Sequence, residues 1–384
     1  MDLDEQGTPA GVTPLPDRAL GEHPGALAGL PVDWAALHRV LVVRPDNAGD
    51  VVMLGPALRQ LRAACPEAHV TLLTSPAGAP AADLLAEVDD VLVASPTWQH
   101  AGVAPAPDPA AELELVERVR AGAYDAAVLF TSFSQSPWPP AYVALLAGIP
   151  VRLGMSKEFG GALLSTWVPA PEDGLHQVDR AVHLLSRLGL PEPDGTDLRV
   201  VVSEAAREQA AAALGATGPY AVVLPGASCS SRRWPAARFR ELGGLLTAEG
   251  LHVVVAGTPK ERALVEAATP AGGTALVGAL GLDGLAALLE GAALAVTNNS
   301  GGMHLADAVR VPLVALFAGT EEEGQYAPRS TRAAVLRVPT ACSPCRAFTC
   351  PFTGQTPDGA PPCLDLDPRA VAAAALALTE RSAA

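Results

Sequence analysis

The feature that most constrains the fold of this chain is a repeated alternation of short apolar runs with Ala- and Leu-rich stretches of helical spacing. The runs have the length of strands and lack alternating polar positions, as in strands covered on both faces. A first series lies at 40–43, 69–73, 90–93 and 126–130. A second series lies at 220–224, 251–255, 274–277, 293–297 and 312–317. Strands that alternate with helices in this way predict parallel sheets built from βαβ units.

Two such series predict an α/β protein with two doubly wound, Rossmann-like domains in tandem. A helical stretch at 176–188 ends before Gly189, and a Pro- and Gly-containing segment follows it. The predicted divisions are a flexible leader at 1–36, a first domain at 37–190, a linker at 191–197 and a second domain at 198–384. Ligands of such folds bind at the carboxyl ends of the strands, so we expect the site in the cleft between the facing domains.

Composition and charge exclude several classes of protein. The 384 residues are 49% hydrophobic, which suffices for sizeable cores. An excess of 41 acidic over 26 basic residues gives a net charge of −15, which argues against general binding to nucleic acid or to an anionic membrane. No apolar run reaches the roughly 18 residues of a transmembrane helix, and residues 1–6 lack the apolar segment of a secretory signal. We expect a cytoplasmic monomer.

Two common nucleotide-binding motifs are missing from the sequence. Neither first strand is followed by G-x-G-x-x-G, and no G-x-x-x-x-G-K-[ST] occurs in the chain. Nicotinamide chemistry and P-loop hydrolysis therefore lose their main sequence support. No cofactor is expected.

Two loops that follow strands carry charged candidates for a site. Loop 44–50 ends in Asp50, which is either the N-cap of the next helix or a general base at the cleft. The segment 224–235 contains the adjacent Arg232 and Arg233, in a chain with only two lysines. These arginines are either fixed donors for phosphate oxygens or solvated surface charges.

Two further loops occupy equivalent positions in the second series. In loop 256–261, Glu261 either accepts bonds from ribose hydroxyls or favours the dipole of the following helix. In segment 297–304, a strand end, two glycines and a helix start bring free N–H groups together as a cradle for an anion. His304, one turn into that helix, either contacts the ligand or holds the loop.

Taken in this order and spacing, these segments resemble glycosyltransferase family 9, whose best-known members are the ADP-heptose:lipopolysaccharide heptosyltransferases. The resemblance covers about residues 38–380. The opening V-L-V-V-R-P-D-N-A-G-D resembles the start of the family's sequences. P-G-A followed by R-R-W-P resembles its P-G-A…K-R-W-P, and T-N-N-S-G-G-M-H-L-A resembles its D-S-G-x-x-H-L-A.

The resemblance implies the GT-B architecture, with the acceptor held mainly by the first domain and the nucleotide-sugar by the second. It implies transfer of a heptose or similar sugar from a nucleotide-diphosphate donor, with ADP-heptose as the family expectation, to a hydroxyl acceptor. The acceptor is a glycan, a lipid-linked sugar or a small molecule. Family members invert the anomeric centre and use no catalytic metal.

The resemblance also implies roles for individual residues. Asp50 is the implied catalytic base, and Asn47 and Gly49 belong to the implied acceptor loop. The implied ligands of the donor diphosphate are Arg232, Ser300, Gly301 and Gly302. The implied ligands of the nucleotide or sugar are Gly226, Glu261, Asn299 and His304.

Two residues depart from the family pattern and motivate alternative hypotheses. Arg232 stands where the family has Lys, and Asn299 stands where it usually has Asp. A second hypothesis is therefore a catalytically silent relative that binds a sugar nucleotide. A third is a nucleotide-sugar hydrolase or epimerase on the same fold.

Four of the six cysteines are crowded near the end of the chain. They are Cys342, Cys345, Cys350 and Cys363. A Cys-x2-Cys pair followed by two more thiols could supply the four ligands of a structural zinc site, although the remaining spacings are irregular. A bound metal, free thiols and a conditional disulfide are the three alternatives that the sequence leaves open.

Overall fold

The computed structural model describes residues 32–99, 106–215 and 218–380. Most of the predicted leader, residues 1–31, lies outside the described residues. Its last part is already packed into the first domain. Trp34 is buried in the core, and its Nε1 donates to the carbonyl of Leu188 at 3.3 Å.

The strands of the described chain form two parallel sheets of six strands each. The first sheet contains β1 (Arg39–Arg44), β2 (His69–Thr74), β3 (Asp90–Val93), β4 (Ala126–Leu129), β5 (Val151–Ser156) and β6 (Thr166–Pro169). The second contains β7 (Tyr220–Leu224), β8 (His252–Gly257), β9 (Thr274–Val277), β10 (Leu294–Asn298), β11 (Leu313–Leu316) and β12 (Ala333–Leu336). All nine predicted strands are confirmed within two residues at each end. The strands β5, β6 and β12 were not predicted.

Helices cover both faces of each sheet. In the first domain they are α1 (Ala48–Val52), α2 (Gly55–Ala64), α3 (Ala79–Ala82), α4 (Pro109–Ala121), α5 (Trp138–Leu146) and α6 (Gln177–Arg187). In the second they are α7 (Glu204–Leu214), α8 (Ala236–Ala248), α9 (Arg262–Ala268), α10 (Leu282–Glu290), α11 (Gly301–Ala308), α12 (Glu323–Tyr326) and α13 (Pro368–Glu380). Of the helices in these three stretches, none combines the length and apolar character that a membrane crossing requires.

Both sheets have the same strand order. The first runs β3-β2-β1-β4-β5-β6, and the second runs β9-β8-β7-β10-β11-β12. All strands stay parallel, but the order in which the chain adds strands changes direction between β1 and β4, and again between β7 and β10. At such a switch point the loops diverge and leave a crevice at the carboxyl ends of the strands. The sheet order confirms the predicted α/β fold with two doubly wound parallel sheets.

Separate apolar layers fill the two faces of each sheet. In the first domain, one layer packs α2, α3 and α6 against the sheet, and the other packs α4 and α5 against the opposite face. In the second domain, α7, α10 and α11 cover one face, and α8, α9 and α13 cover the other. Because their strands are buried on both sides, the central strands read as continuous apolar runs in the sequence.

The two domains touch where the first turns of α1 and α11 meet. A Cβ added at Gly49 would lie 2.9 Å from the Cα of Gly301 and 2.9 Å from Cδ2 of His304. A Cβ added at Gly301 would lie 3.4 Å from the backbone nitrogen of Gly49. The second distance is an ordinary van der Waals contact, so it is the absence of a side chain at Gly49 that permits the domains to approach at the carboxyl edges of their sheets.

We predict that Gly49→Ala weakens this contact, because the added Cβ would clash with Gly301 and His304. Helix propensity by itself would favour Ala, so a loss of stability is attributable to the clash. The expected cost is about 1–3 kcal/mol of unfolding free energy, as for other overpacked sites. Thermal unfolding measures it, and small-angle scattering detects an opening of the cleft. Gly244→Ala in α8 is the control, because its added Cβ would meet no heavy atom within 4 Å. The packing argument fails if Gly49→Ala changes neither the melting point nor the radius of gyration.

Candidate active site

Two adjoining cavities lie in the cleft between the domains, at the switch points of both sheets. One has a volume of about 390 Å³ and is mostly apolar, and the other has about 650 Å³ and is rich in polar side chains. Loops that follow β1, β7 and β10 line both cavities, and the loop after β4 lines the larger one. The residues common to both are Ala48, Ala77, Ser228, Ser300 and Gly301. One elongated ligand can therefore extend from the apolar cavity into the polar one.

Asp50 lines the polar cavity and is held by a buried arginine. It is the third residue of α1 and not its N-cap, which is Asn47, so the N-cap interpretation is wrong. Arg44, the last residue of β1, is 1% exposed, and its Nη2 donates to Asp50 Oδ1 at 3.0 Å and to Ser132 Oγ at 2.8 Å. Nε of Arg44 lies 3.0 Å from Oδ2 of Asp46. Two carboxylates thus share one guanidinium.

The surroundings of Asp50 make it a carboxylate of unusual basicity. Burial raises the pKa of Asp50 to about 6, although the guanidinium of Arg44 opposes the shift. Its side chain is still 23% exposed, on the side of the cavity. A carboxylate with this pKa is mostly ionised at pH 7 and accepts a proton more readily than an ordinary Asp.

The start of α11 presents free backbone amides to the junction of the two cavities. Ser300 is the N-cap and makes no side-chain capping bond. The amides of Gly301 and Gly302 belong to the first turn, where the helix itself offers no acceptor. A Cβ added at Gly302 would lie 2.5 Å from Cδ1 of Leu224, so a larger residue here would displace that side chain. These amides and the helix dipole are the groups with which the sequence predicts an anion cradle, and that role stays a prediction.

The two adjacent arginines have different roles. Arg233 donates from Nε and Nη2 to the carbonyl of Ala227, at 2.9 and 2.7 Å, and so holds the loop after β7. Arg232 lines the polar cavity, donates from Nε to Thr320 Oγ1 at 2.9 Å and forms an ion pair with Glu321. Arg232 is therefore the one of the pair that can contact a ligand in the cleft.

Gly226 and Glu261 come together at the apolar cavity. Oε2 of Glu261 accepts bonds from the backbone N–H of Thr258 at 2.9 Å and from its hydroxyl at 2.8 Å, which forms a capping box. A Cβ added at Gly226 would lie 2.0 Å from Oε1 of Glu261. Glu261 can therefore have both roles that the sequence leaves open. Its Oε2 caps the helix start, and the residue also lines the apolar cavity, as Gly226 does.

Asn299 and His304 line the polar cavity but have structural contacts as well. Oδ1 of Asn299 accepts a bond from the backbone N–H of Ala318 at 3.0 Å, and its side chain is nearly buried. Burial lowers the pKa of His304 to about 3, so its ring is neutral at physiological pH. His304 therefore cannot act as a cation toward a phosphate. Its neighbour across the domain contact is Gly49.

The two residues of the implied acceptor loop differ in accessibility. Asn47 is exposed at the polar cavity, whereas Gly49 is buried against the second domain. The close approach that Gly49 permits is thus an approach by Gly301 and His304.

Sequence reasoning missed several residues of the polar cavity. Tyr326 of α12 is T-shaped to Phe133, with ring centroids 6.2 Å apart, and burial raises the pKa of its phenol. Glu321 and Arg346 come from loops after β11 and β12, where no local motif marks them. Arg44, which holds Asp50 without lining this cavity, does carry a signal, because a charged residue ends an otherwise apolar buried strand.

The four crowded cysteines line a separate cavity of about 230 Å³ behind Thr320 and Ser231. They are Cys342, Cys345, Cys350 and Cys363, and none forms a disulfide. Within the described stretches, no three His, Cys, Asp or Glu side chains are grouped closely enough to hold a metal ion as placed.

Comparisons with known proteins agree with this geometry. The sequence profile of glycosyltransferase family 9 (heptosyltransferase) matches residues 113–355. Lipopolysaccharide heptosyltransferase 2 of Escherichia coli K12 is 29% identical over 325 residues, which cover 79% of this chain and 88% of that protein.

Solved structures share the whole fold. The ADP-heptose lipopolysaccharide heptosyltransferase II of E. coli superposes with a TM-score of 0.71 at 25% identity, over 90% of this chain and 100% of that one. A family 9 glycosyltransferase from Veillonella parvula gives a TM-score of 0.74 at 21% identity, over 92% and 99%. The two facing Rossmann-like domains are thus the GT-B architecture that the resemblance implies. With a profile match over more than half of its length, this chain belongs to glycosyltransferase family 9.

Proposed function

We propose that this glycosyltransferase moves a heptose from ADP-heptose to a hydroxyl group of a saccharide acceptor, with inversion at the anomeric carbon. The observation that carries the proposal is the placement of Asp50 and the α11 amides on one cavity, which continues into an apolar cavity through Ser300 and Gly301. The relatives that match most of the chain are named as lipopolysaccharide heptosyltransferases, which supports the same sugar and a glycan acceptor.

The apolar cavity suits the nucleoside of the donor. Its walls are aliphatic, with a few polar groups, as is common for ligand pockets. They include Leu224, Pro259, Leu276, Leu280 and Leu285. Glu261 is the only charged residue among the lining side chains, and its carboxylate can accept bonds from ribose hydroxyls. With the adenosine in this cavity, the diphosphate of the donor would lie near the backbone amides of Gly301 and Gly302.

Charge that develops on the diphosphate has two sources of stabilisation. The first-turn amides of α11 donate to its oxygens, and Arg232 lies on the same cavity. Arginine can bind two phosphate oxygens at once, so the exchange of the family's Lys for Arg232 retains this role. We propose that these groups meet the leaving charge without a catalytic metal, which predicts that EDTA leaves the rate unchanged.

In the proposed reaction, Asp50 activates the acceptor. The acceptor oxygen attacks C1 of the heptose while the carboxylate of Asp50 takes its proton. The bond from C1 to the diphosphate oxygen breaks on the opposite face, and ADP leaves with the electron pair. Arg44 holds the carboxylate in position and stays protonated throughout. The predictions of a monomer and of a cytoplasmic location stay predictions.

Removal of the base should abolish turnover and spare donor binding. Asp50→Asn is expected to lower kcat roughly 10²- to 10⁴-fold, the usual contribution of general base catalysis, while the Kd for ADP stays within twofold. ADP release with an acceptor panel measures the first quantity, and calorimetry measures the second. Turnover that survives in Asp50→Asn would assign the base elsewhere. A wild-type chain that binds ADP-heptose without turnover would favour the silent relative, and acceptor-independent ADP release would favour a hydrolase.

The pH dependence of kcat/KM should report Asp50 in the free enzyme. Because its pKa is raised to about 6, the base is protonated below that pH and ionised above it. We therefore expect kcat/KM to fall about tenfold per pH unit below pH 6 and to level off above it. Arg44→Lys weakens the hydrogen bond from Arg44 to Asp50, which lowers the pKa of Asp50, and should move this limb to higher pH. A profile that is flat from pH 5 to pH 8 contradicts the role of Asp50.

The identity of the nucleotide can be tested through stability. A ligand that binds only the folded state stabilises it by about 2.7 kcal/mol at a hundred times its Kd, so thermal shifts rank ADP, GDP and UDP. We expect ADP to give the largest shift. Glu261→Gln should weaken ADP binding roughly tenfold through loss of a charge-assisted hydrogen bond. The control is Glu266→Gln, an exposed carboxylate in the following helix α9. Equal shifts for the three nucleotides would contradict a specific base pocket.

A further inference from the structure

We propose that Arg346, with Ser134 and Phe348, forms an acceptor subsite that binds an anionic group of the acceptor saccharide. The inference rests on the proposed function and adds to it the chemical class of the acceptor. Arg346 and Phe348 come from the cysteine-bearing segment after β12, and Ser134 comes from the loop after β4 in the other domain. All three line the 650 Å³ cavity.

Arg346 differs in its charge balance from Arg232 of the same cavity and from Arg44, which holds Asp50. Arg44 is paired with Asp46 and Asp50, and Arg232 is paired with Glu321. In the described part of the chain, no carboxylate lies within ion-pair distance of Arg346, whose exposed side chain interacts only at longer range with Glu321 and Asp173. Its Nη1 instead donates to Ser134 Oγ at 2.7 Å, across the cleft. A guanidinium hydrogen-bonded only to a hydroxyl retains free donors for a carboxylate or a phosphate.

The backbone holds Arg346 in a conformation that few residues adopt. Its φ is 52°, in the left-handed region that L side chains seldom occupy. The backbone N–H of Arg346 donates to Thr320 O at 3.0 Å, and that of Cys345 donates to Gly319 O at 3.0 Å. An unfavourable conformation persists only where the surroundings impose it, and such residues cluster at functional sites.

Two serines fix the other end of the same turn. The backbone N–H and hydroxyl of Ser231 donate to the carbonyls of Phe348 and Ala347, respectively. The hydroxyl of Ser230 donates to Phe348 O at 3.2 Å. These serines directly precede Arg232 in the chain, so the wall that carries the donor arginine also carries Arg346. The subsite is therefore built into the cleft.

The position of Arg346 favours the acceptor over the donor. It does not line the apolar cavity, which suits the nucleoside, and its partner Ser134 belongs to the first domain. Phe348 is 60% exposed beside it and offers an apolar face to a sugar ring. The chain carries a net charge of −15, so an anionic acceptor needs a local cation at the point of contact.

The test measures acceptor kinetics with a deacylated lipopolysaccharide core oligosaccharide as the probe. Three forms are compared: untreated, phosphatase-treated and carboxyl-reduced. Arg346→Gln should raise the KM for the untreated probe roughly 10- to 100-fold, the usual effect of losing a charged hydrogen bond, with kcat and the Kd for ADP within twofold. Arg346→Lys should restore part of the affinity. Arg369→Gln, an exposed arginine of α13 outside both cavities, is the control.

The three probes identify the anion that Arg346 binds. The probe form that raises the wild-type KM and removes the difference between wild type and Arg346→Gln has lost the recognised group, whether phosphate or carboxylate. The inference is overturned if Arg346→Gln leaves the acceptor KM unchanged, or if it raises the Kd for ADP instead, which would assign Arg346 to the donor. It is also overturned if the effect persists with both treated probes.

Failure of the proposed function gives a different result. In that case the wild-type chain transfers no sugar to any probe. Calorimetric binding of the untreated oligosaccharide to the ADP-loaded wild type and to Arg346→Gln then still tests the subsite. Equal affinities of the two proteins overturn it.

Discussion

The contact between the first turns of α1 and α11 is the constraint on which the site depends. Gly49 and Gly301 bring the backbones of the two domains together, and Gly49 has no room for a side chain unless Gly301 and His304 shift. The switch points of two sheets with the same strand order therefore face each other across a narrow cleft. Asp50 lies one residue after Gly49, and the α11 amides begin at Gly301. This close approach thus places the carboxylate of Asp50 and the α11 amides on the same cavity.

Only a few side chains of the cleft carry a charge that can act on a ligand. Arg44 keeps Asp50 in place while burial raises the pKa of that carboxylate. His304 is held neutral by its burial and leaves the positive field to Arg232, Arg346 and the helix amides. A base of raised pKa on one side and cations on the other suit a reaction in which a proton leaves the acceptor as negative charge gathers on the leaving group.

Much of the fold could be predicted because its central strands are buried on both faces. Such strands leave uninterrupted apolar runs, and seven of the nine predicted strands are central, the other two being the edge strands β3 and β9. Of the missed strands, β5 contains Arg152 and Gly154, β6 runs only from Thr166 to Pro169, and the four residues of β12 are only half-buried. The rule that ligands bind at the carboxyl ends of parallel strands places the loops with Asp50 and Ser300 at one cleft.

What could not be predicted depends on contacts between residues far apart in the chain. The pair of Arg346 and Ser134 spans 212 residues, and that of Arg232 and Glu321 spans 89. No motif within either segment indicates its partner. The accessibility of Gly49 is a similar case, because the other domain and not a ligand occupies the space beside it. The contact of Asp50 with Arg44 is local but also has no sequence signal. It forms because the first turn of α1 places Asp50 beside the last residue of β1.

The ion pair of Arg232 with Glu321 has a consequence for selectivity among anions. A cation that is already neutralised attracts free inorganic phosphate weakly, since the newcomer must displace a tethered carboxylate at high local concentration. A nucleotide diphosphate brings additional binding free energy from its base and from the amides of α11, and so competes where phosphate alone does not. Burial raises the pKa of Glu321, against the opposing charges of Arg232 and Arg346. A simple anion that enters this cleft must therefore compete with a carboxylate that is already tethered beside the cation.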